Sequence, residues 1–389
     1  MLGMLSDLDA DTLQQLRYYI SPDHPFGPEN ASAVKEPAAR AIFFNQHNML
    51  CRSFRQNPRI IIGRRGSGKT TIISNTGILY DYAYIMHLVP DEIINTVKSI
   101  TYPAGSTEAQ FTESIASIWR TTLNTLLMSY VVRQVPFGKL PAVRAYLLLC
   151  DIPLDNGWAA TLAAFRRRVS QIGTGVAGAV LSSVIDALNT GDATYHAAHE
   201  ELDRFLAESD RKAVIIIDSL DDYHLQDARN REIMAGLLKC VGEYGNPRRH
   251  IRLCIPGETY FEIRRCSKNA LKDLTHNLLL HWLPSEIYSI VAGRYLLYKR
   301  LYDIKTFKRF ERHCLNRRED VLDILGHVFP KQIKNALGKA EPTLPYIMRH
   351  TQLLPRQTIV ILNRIFAGPA TAGGTLEDVA APEIAKSIG

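Results

Sequence analysis

The feature of the sequence that most constrains the fold is a glycine-rich segment directly after a short apolar run. Residues 60–62 are three isoleucines, and Gly63 opens the pattern Gly-x-x-x-x-Gly-Lys-Thr, which ends at Gly68, Lys69 and Thr70. The β-branched run predicts a strand, and the residues after Thr70 suit a helix. A strand, a glycine-rich loop and a helix in this order are typical of a phosphate-binding loop.

The chemistry of phosphate binding requires these residue types. The three glycines let the backbone turn tightly and approach phosphate without a clash at Cβ. The N–H groups from about Gly66 to Thr71 then point at phosphate oxygens, beside a helix dipole that favours anions. We expect Lys69 to reach the β and γ phosphates and the Thr70 hydroxyl to bind Mg²⁺. The alternative interpretation, without a role in binding, is a glycine-rich turn beside a surface lysine. The predicted nucleotide-binding residues are Gly63, Arg65, Gly66, Ser67, Gly68, Lys69, Thr70 and Thr71.

An acidic segment supplies the expected partner of this loop. Residues 213–222 read AVIIIDSLDD, so a buried strand over Val214–Ile217 is followed by Asp218. Ligands of open parallel sheets bind at the carboxyl ends of the strands, which predicts Asp218 in the Mg²⁺ shell, through water. Either Asp221 or Asp222 is expected to orient the attacking water, with Asp222 preferred. The alternative is that these aspartates start a turn or cap a helix.

The remaining apolar runs predict the fold class. Five candidate strands alternate with loop or helix, which indicates an α/β protein with a parallel five-stranded sheet. The strands are expected at residues 60–62, 82–88, 214–217, 250–255 and 277–281. The predicted organisation is an N-terminal arm over 1–58, a core over 59–281 with a helical insertion at about 108–209, a helical region over 282–366, and a flexible tail over 367–389.

The two phosphate-site segments resemble the P-loop ATPases of the AAA+ and STAND kind, near the origin-recognition branch. The resemblance rests on GRRGSGKT at 63–70 and on the pattern Asp, Ser, Leu, Asp, Asp at 218–222. It implies a P-loop NTPase sheet in which one strand, residues 252–255, separates the loop strand from the Asp218 strand. It also implies that 282–366 is a helical lid. Family lids carry an arginine near a helix start that senses the γ phosphate, and Arg356 matches, with Arg294 as a second candidate. For each, the alternative is a surface arginine.

The sequence departs from that family at the strand before the lid. Relatives place a polar or arginine sensor at its end, whereas this strand ends in Pro256-Gly257-Glu258. The sensor is therefore either Glu258 or absent. Arg264 and Arg265 are candidates for an arginine finger, without a basis for choosing between them.

Charge and composition restrict the partners. The excess of 46 basic over 39 acidic residues, a formal charge of +7, permits an acidic partner without requiring one. A basic stretch over Lys299–Arg318 makes DNA an alternative partner, because Lys305, Lys308, Arg309 and Arg312 have helical spacing, although such runs are usually solvated faces. Six cysteines without a CxxC pair, and no apolar run of ~18–20 residues, predict a cytoplasmic protein that does not enter a membrane.

The resemblance implies a slow Mg²⁺-dependent ATPase that acts as a molecular switch. ATP and Mg²⁺ are the expected ligands, and Lys69, Asp221, Asp222 and Arg356 are the expected catalytic residues. The resemblance further implies that the partner is an effector or regulatory protein and that the chain forms a homo-oligomer. It places the protein in bacterial anti-phage defence. Two alternatives remain: a DNA-binding ATPase of origin-recognition or transposition type, and an ATP-binding scaffold without turnover.

Overall fold

The computed structural model describes most of the chain between residues 5 and 371. The described residues are 5, 7–30, 33–44, 57–89, 91, 94, 108–154, 163–164, 167, 192–218, 225, 227–267, 269–274, 276–335 and 337–371. By contacts the chain divides into two units. The sheet unit comprises residues 56–63 and 76–279, and the helical unit comprises residues 1–55, 64–75 and 280–389.

The described helices and strands alternate through the first two thirds of the chain. In chain order they are α1 Ala10–Tyr19, α2 Pro37–Phe44, β1 Ile60–Gly63, α3 Lys69–Ser74, α4 Thr76–Tyr80, β2 Tyr84–Leu88, α5 Glu108–Val132, α6 Pro141–Leu149, α7 Asp192–Glu208, β3 Ala213–Ile217, α8 Ala228–Glu243, β4 Arg249–Pro256, α9 Tyr260–Cys266, α10 Ala270–Asp273 and β5 Asn277–Leu280. The C-terminal third follows with α11 Pro284–Tyr302, α12 Ile304–Phe310, α13 Arg318–Val328, β6 Gln332–Lys334, β7 Ala340–Pro342, α14 Thr343–Thr351 and α15 Pro355–Thr371.

The sheet unit is built on a five-stranded, all-parallel sheet, so the α/β class is confirmed. Its strand order is β2-β3-β4-β1-β5. The five predicted strands are all present, and β4 lies between β3 and β1, as the family resemblance implies. Strands β1 and β3 are buried along their whole length. This burial on both faces explains why they read as continuous apolar runs instead of alternating patterns.

Helices α5 and α8 cover this sheet and form much of its core. They pack against each other, and α5 also contacts β2. Trp119 of α5 is fully buried, and its indole N–H donates to the carbonyl of Ile233 at 3.3 Å. The two helices meet closely at Gly236, where an added Cβ would lie 2.3 Å from Ile115 Cγ2. A glycine at this position is therefore required by packing.

The helical unit is organised around α11. This helix packs against α12, α13 and α15, and α14 packs against α15. The side chain of Asn363 binds the main chain of the N-terminal arm: Phe26 N–H donates to Asn363 Oδ1 at 2.9 Å, and the Asn363 side-chain amide donates to the carbonyl of Gly27 at 2.9 Å. Strands β6 and β7 form an antiparallel hairpin that the sequence did not predict. Among the described residues, no helix is both long and apolar enough to cross a membrane.

Candidate functional site

The glycine-rich segment adopts a tight turn between β1 and α3. Gly66 and Gly68 have φ angles of +83° and +96°, in the left-handed region that favours glycine. The N–H of Ser67 donates to the carbonyl of Arg64 at 3.1 Å, which closes the turn. The order of strand, glycine loop and helix is therefore present as the motif requires.

The side chains of this loop suit an anionic ligand. Ser67 is only 1% exposed, and within the described part of the chain its Oγ atom has no hydrogen-bond partner. A buried hydroxyl without a partner is uncommon and calls for a ligand or a water. The ammonium of Lys69 lies 3.4 Å from the carbonyl of Arg64, so it stays beside the loop, and Thr70 is exposed. The donors present are those that a polyphosphate needs.

Three residues of the helical unit contact the loop directly. The indole N–H of Trp282 donates to the carbonyl of Ser67 at 2.8 Å. Arg64 donates to Oε1 of Gln352 at 2.7 Å. The main-chain N–H of Arg356 faces the carbonyl of Gly66 at 3.4 Å, and its Cβ lies 3.3 Å from where a Cβ on Gly66 would be.

The two sensor candidates, Arg356 and Arg294, differ in exposure and in the residues that they contact. Arg356 is exposed, lies in the first turn of α15 directly after Pro355, and is adjacent to the loop. Arg294 is buried, donates to the carbonyl of Phe26 at 3.2 Å, and stacks on Phe43. Burial lowers the pKa of Arg294 to about 9. Arg294 therefore contacts the N-terminal arm, whereas Arg356 lies beside the glycine-rich loop.

Sequence reasoning missed Trp282 and Gln352. Gln352 and Leu353 both have positive φ, at 51° and 56°, which is strained for residues with a Cβ. This turn between α14 and α15 is what brings Gln352 and Arg356 to the loop. No local pattern signals either contact, because Trp282 and Gln352 are more than two hundred residues from the loop in sequence.

In the sheet unit, Asp218 follows β3 at the carboxyl edge of the sheet. Its N–H donates to the carbonyl of Leu88 at 3.3 Å, and its side chain is half-buried. Burial lowers the pKa of His87, and the nearby Asp218 carboxylate offsets part of that effect. The end of β1 is tied to the end of β4, because Gly257 N–H donates to the carbonyl of Gly63 at 3.0 Å. Glu258, the alternative sensor, is exposed at the same edge.

Several predicted site residues lie elsewhere or outside the described residues. Asp221 and Asp222 belong to the segment 219–224, outside the described residues, as does the tail over 372–389. Arg264 and Arg265 are exposed in the last turn of α9. Within the described ranges, no group of three or more His, Cys, Asp or Glu side chains could hold a metal ion.

The basic stretch is only partly available to a partner. Lys299 is 3% exposed and pairs with Asp303 at 3.4 Å, and Arg300 donates to the carbonyl of Leu5. The expectation that the whole of Lys299–Arg318 could contact DNA is wrong at its start, because these two side chains stabilise the fold. Helix α12 also ends at Phe310, before Arg312. The aromatic rings of Phe307 and Phe310 are buried in the core.

Comparison with known proteins adds no relative. No protein-family model matches the chain, and neither a curated protein nor a solved structure matches it significantly.

Proposed function

We propose that this chain is a P-loop NTPase that binds Mg²⁺-ATP at residues 63–71 and works as a slow molecular switch. The observation that carries the proposal is the loop itself. Its glycines at 66 and 68 take left-handed conformations between a buried parallel strand and a helix, in the Gly-x-x-x-x-Gly-Lys-Thr pattern. The buried Ser67 hydroxyl supports an anionic ligand at the same place.

Each residue of the loop has a definite part in this proposal. The Lys69 ammonium and the main-chain N–H groups of the loop, except that of Ser67, which donates to Arg64, bind the phosphates and offset the charge that develops during phosphoryl transfer. Thr70 and Asp218 would hold Mg²⁺, and the ion would supply positive charge that favours phosphoryl transfer. Asp222, or Asp221, orients the attacking water. Arg356 senses the γ phosphate, which its position beside Gly66 supports.

In this proposal, the helical region over 282–366 is the lid, and the switch operates through it. Because Trp282, Gln352 and Arg356 contact the loop, the occupancy of the loop can bias the conformation of these helices. An effector or regulatory protein then distinguishes the two states. Homo-oligomer formation, a cytoplasmic location and a role in anti-phage defence belong to the same proposal and rest on the resemblance of the two motif segments.

Calorimetric titration of Mg²⁺-ATP tests the binding step. The wild-type protein should bind, and Lys69→Ala should show no measurable binding. Lys139→Ala, which removes an exposed lysine of the sheet unit, is the matched control and should bind like the wild type. Retained affinity in Lys69→Ala would contradict the proposal.

Single-turnover measurements test the hydrolytic step. Asp222→Asn should bind ATP with wild-type affinity and fail to hydrolyse it. Unchanged turnover would transfer the role of the base to Asp221 or Glu258.

A second candidate function is a DNA-binding ATPase. It is favoured by the exposure of Lys305, Lys308 and Arg312, which remain on the surface of the helical unit. DNA should then stimulate the ATPase, with a steep dependence on salt concentration, and charge reversal at Lys305 and Lys308 should abolish the stimulation. A DNA-independent rate would remove this candidate and leave the first.

A further inference from the structure

The contact between Trp282 and the loop has a consequence for phosphate binding. Trp282 is 5% exposed, and its indole N–H donates to the carbonyl of Ser67. Its ring also lies 3.8 Å from where a Cβ on Gly68 would be. The residue therefore donates to the Ser67 carbonyl and leaves room for only an ordinary van der Waals contact at Gly68.

Because the peptide bond is planar, the contact at the Ser67 carbonyl also determines the direction of the Gly68 N–H. A trans peptide is planar, so the carbonyl of Ser67 and the N–H of Gly68 point in opposite directions. With its carbonyl held by Trp282, the peptide must direct the Gly68 N–H away from the indole. The preceding peptide is fixed in a similar way, because Ser67 N–H donates to Arg64 and the Gly66 carbonyl faces the Arg356 N–H.

An external contact is needed because glycine does not fix the orientation itself. Gly68 has no Cβ and populates both signs of φ at comparable free energy. Its φ of +96° is thus stabilised by surroundings, and the hydrogen bond from Trp282 is the contact that acts on this peptide's carbonyl.

We propose that Trp282 is a positioning residue for the phosphate loop: by holding the Ser67 carbonyl, it aims the Gly68 N–H at the bound phosphate. The inference rests on the proposed function, since it names how the loop is prepared for ATP. It predicts that the loop is pre-organised before the ligand arrives. It also ties the loop to the residue that precedes α11, because Trp282 is two positions before Pro284.

The test is the Trp282→Phe variant, which keeps an aromatic ring and removes the donor. Mg²⁺-ATP affinity should fall about five- to tenfold, as expected for one lost hydrogen bond. Hydrogen exchange of peptides covering residues 60–75 should become faster in the nucleotide-free protein. Trp119→Phe is a matched control, because it also removes an indole N–H that donates to a carbonyl, but on α5. It should lower thermal stability and leave ATP affinity and loop exchange unchanged.

The outcomes separate the two proposals. If the wild-type protein binds no ATP, the proposed function falls, and this inference with it. If the wild type binds ATP but Trp282→Phe matches it in affinity and in loop exchange, only the role of Trp282 is overturned.

A measurement on the wild-type protein covers the case in which Trp282→Phe does not fold. With ¹⁵N-labelled tryptophan, the indole N–H of Trp282 in the nucleotide-free protein should exchange with solvent as slowly as the hydrogen-bonded indole N–H of Trp119. A Trp282 indole N–H that exchanges rapidly without ATP would overturn the inference.

Discussion

The phosphate loop and the amino end of β4 are both rich in polar groups, but they use them in opposite ways. In the loop, the Ser67 hydroxyl is buried without a partner within the described residues, and Thr70 is exposed. At the amino end of β4, Arg249 is 2% exposed and pairs with Asp203 at 2.6 Å. We call this second region the polar cluster; it consists of Asn124, Tyr195, His199, Asp203, Tyr244 and Arg249.

The polar cluster surrounds its central charge with acceptors. Arg249 also donates to Asn124 Oδ1 at 3.0 Å and to His199 Nε2 at 2.6 Å, so His199 must be neutral to accept. Tyr244 donates to the same Asn124 oxygen. Burial, followed by the charge of Arg249, lowers the pKa of His199. The Arg249 guanidinium is therefore paired by side chains of the protein, whereas the proposed function assigns the loop's donors to a ligand. Variants of the polar cluster should therefore change stability, and variants of the loop should change binding.

Removing the countercharge of the polar cluster should produce the largest loss of stability. Asp203→Asn leaves the Arg249 guanidinium buried without its anion, which should cost about 3 kcal/mol of unfolding free energy, the lower end for a buried pair because the Asp203 side chain is 34% exposed. Urea unfolding measures this loss. The exposed pair Arg248–Asp210 gives a matched control: Asp210→Asn should leave the unfolding midpoint unchanged, because surface pairs contribute little.

The same variant tests the comparison from the side of binding. At a temperature where Asp203→Asn remains folded, its ATP affinity should equal that of the wild type, while Lys69→Ala should lose affinity and keep wild-type stability. A loss of stability in Lys69→Ala as large as that in Asp203→Asn would abolish the distinction between the two regions.

The sheet unit should lose stability in acid through His250. Burial, together with Arg252, Lys212 and Arg59, lowers the pKa of His250 to about 4, and its Nδ1 lies 2.6 Å from the Tyr82 hydroxyl. A lowered pKa means that the unfolded chain binds more protons, so stability is full above about 6.5, the ordinary histidine value, and falls as the pH drops towards 4. The loss should reach up to about 3 kcal/mol.

Unfolding as a function of pH checks this with His250→Gln, which cannot titrate. The variant should be less stable than the wild type at pH 7 and lose less stability between pH 7 and 4. Parallel pH profiles for the two proteins would show that His250 is not responsible.

The close contact of α5 and α8 should tolerate no added methyl group. Gly236→Ala places a Cβ 2.3 Å from Ile115 Cγ2, and overpacking of this kind costs about 1–3 kcal/mol. Thermal unfolding measures the loss.

The smallest predicted effect has the opposite sign. Gly326 is exposed within α13, and an added Cβ would meet nothing within 4 Å. Gly326→Ala should therefore raise stability by up to about 1 kcal/mol, the difference in helix propensity. A destabilised Gly326→Ala would mean that this glycine has a role that packing does not reveal.

The sequence predicted the parts of the fold that depend on local pattern. The three isoleucines before Gly63 and the run before Asp218 are buried strands, because burial on both faces leaves a purely apolar signature. The hairpin β6–β7 was missed because strands of three residues, such as Gln332–Lys334, carry too little periodicity to recognise.

Only the part of the candidate site that consists of consecutive residues could be predicted from the sequence. The loop from Gly63 to Thr70 is continuous in sequence, so its pattern could be recognised. The contacts of Trp282 with Ser67, and of Arg249 with Asp203, join residues far apart in sequence, and no local pattern specifies them. Arg294 shows the limit of local pattern in another way. The sequence made it a candidate sensor, but its side chain is buried and donates to the carbonyl of Phe26 in the N-terminal arm.

In the proposed site, the loop binds the triphosphate and Asp218 is a ligand of its magnesium ion. Calorimetry of ATP binding with and without Mg²⁺, in the wild type and in Asp218→Asn, tests it most directly. We predict that Mg²⁺ tightens ATP binding by about tenfold or more in the wild type, that Asp218→Asn removes this gain, and that both proteins bind metal-free ATP equally. An equal Mg²⁺ effect in the two proteins would contradict the account.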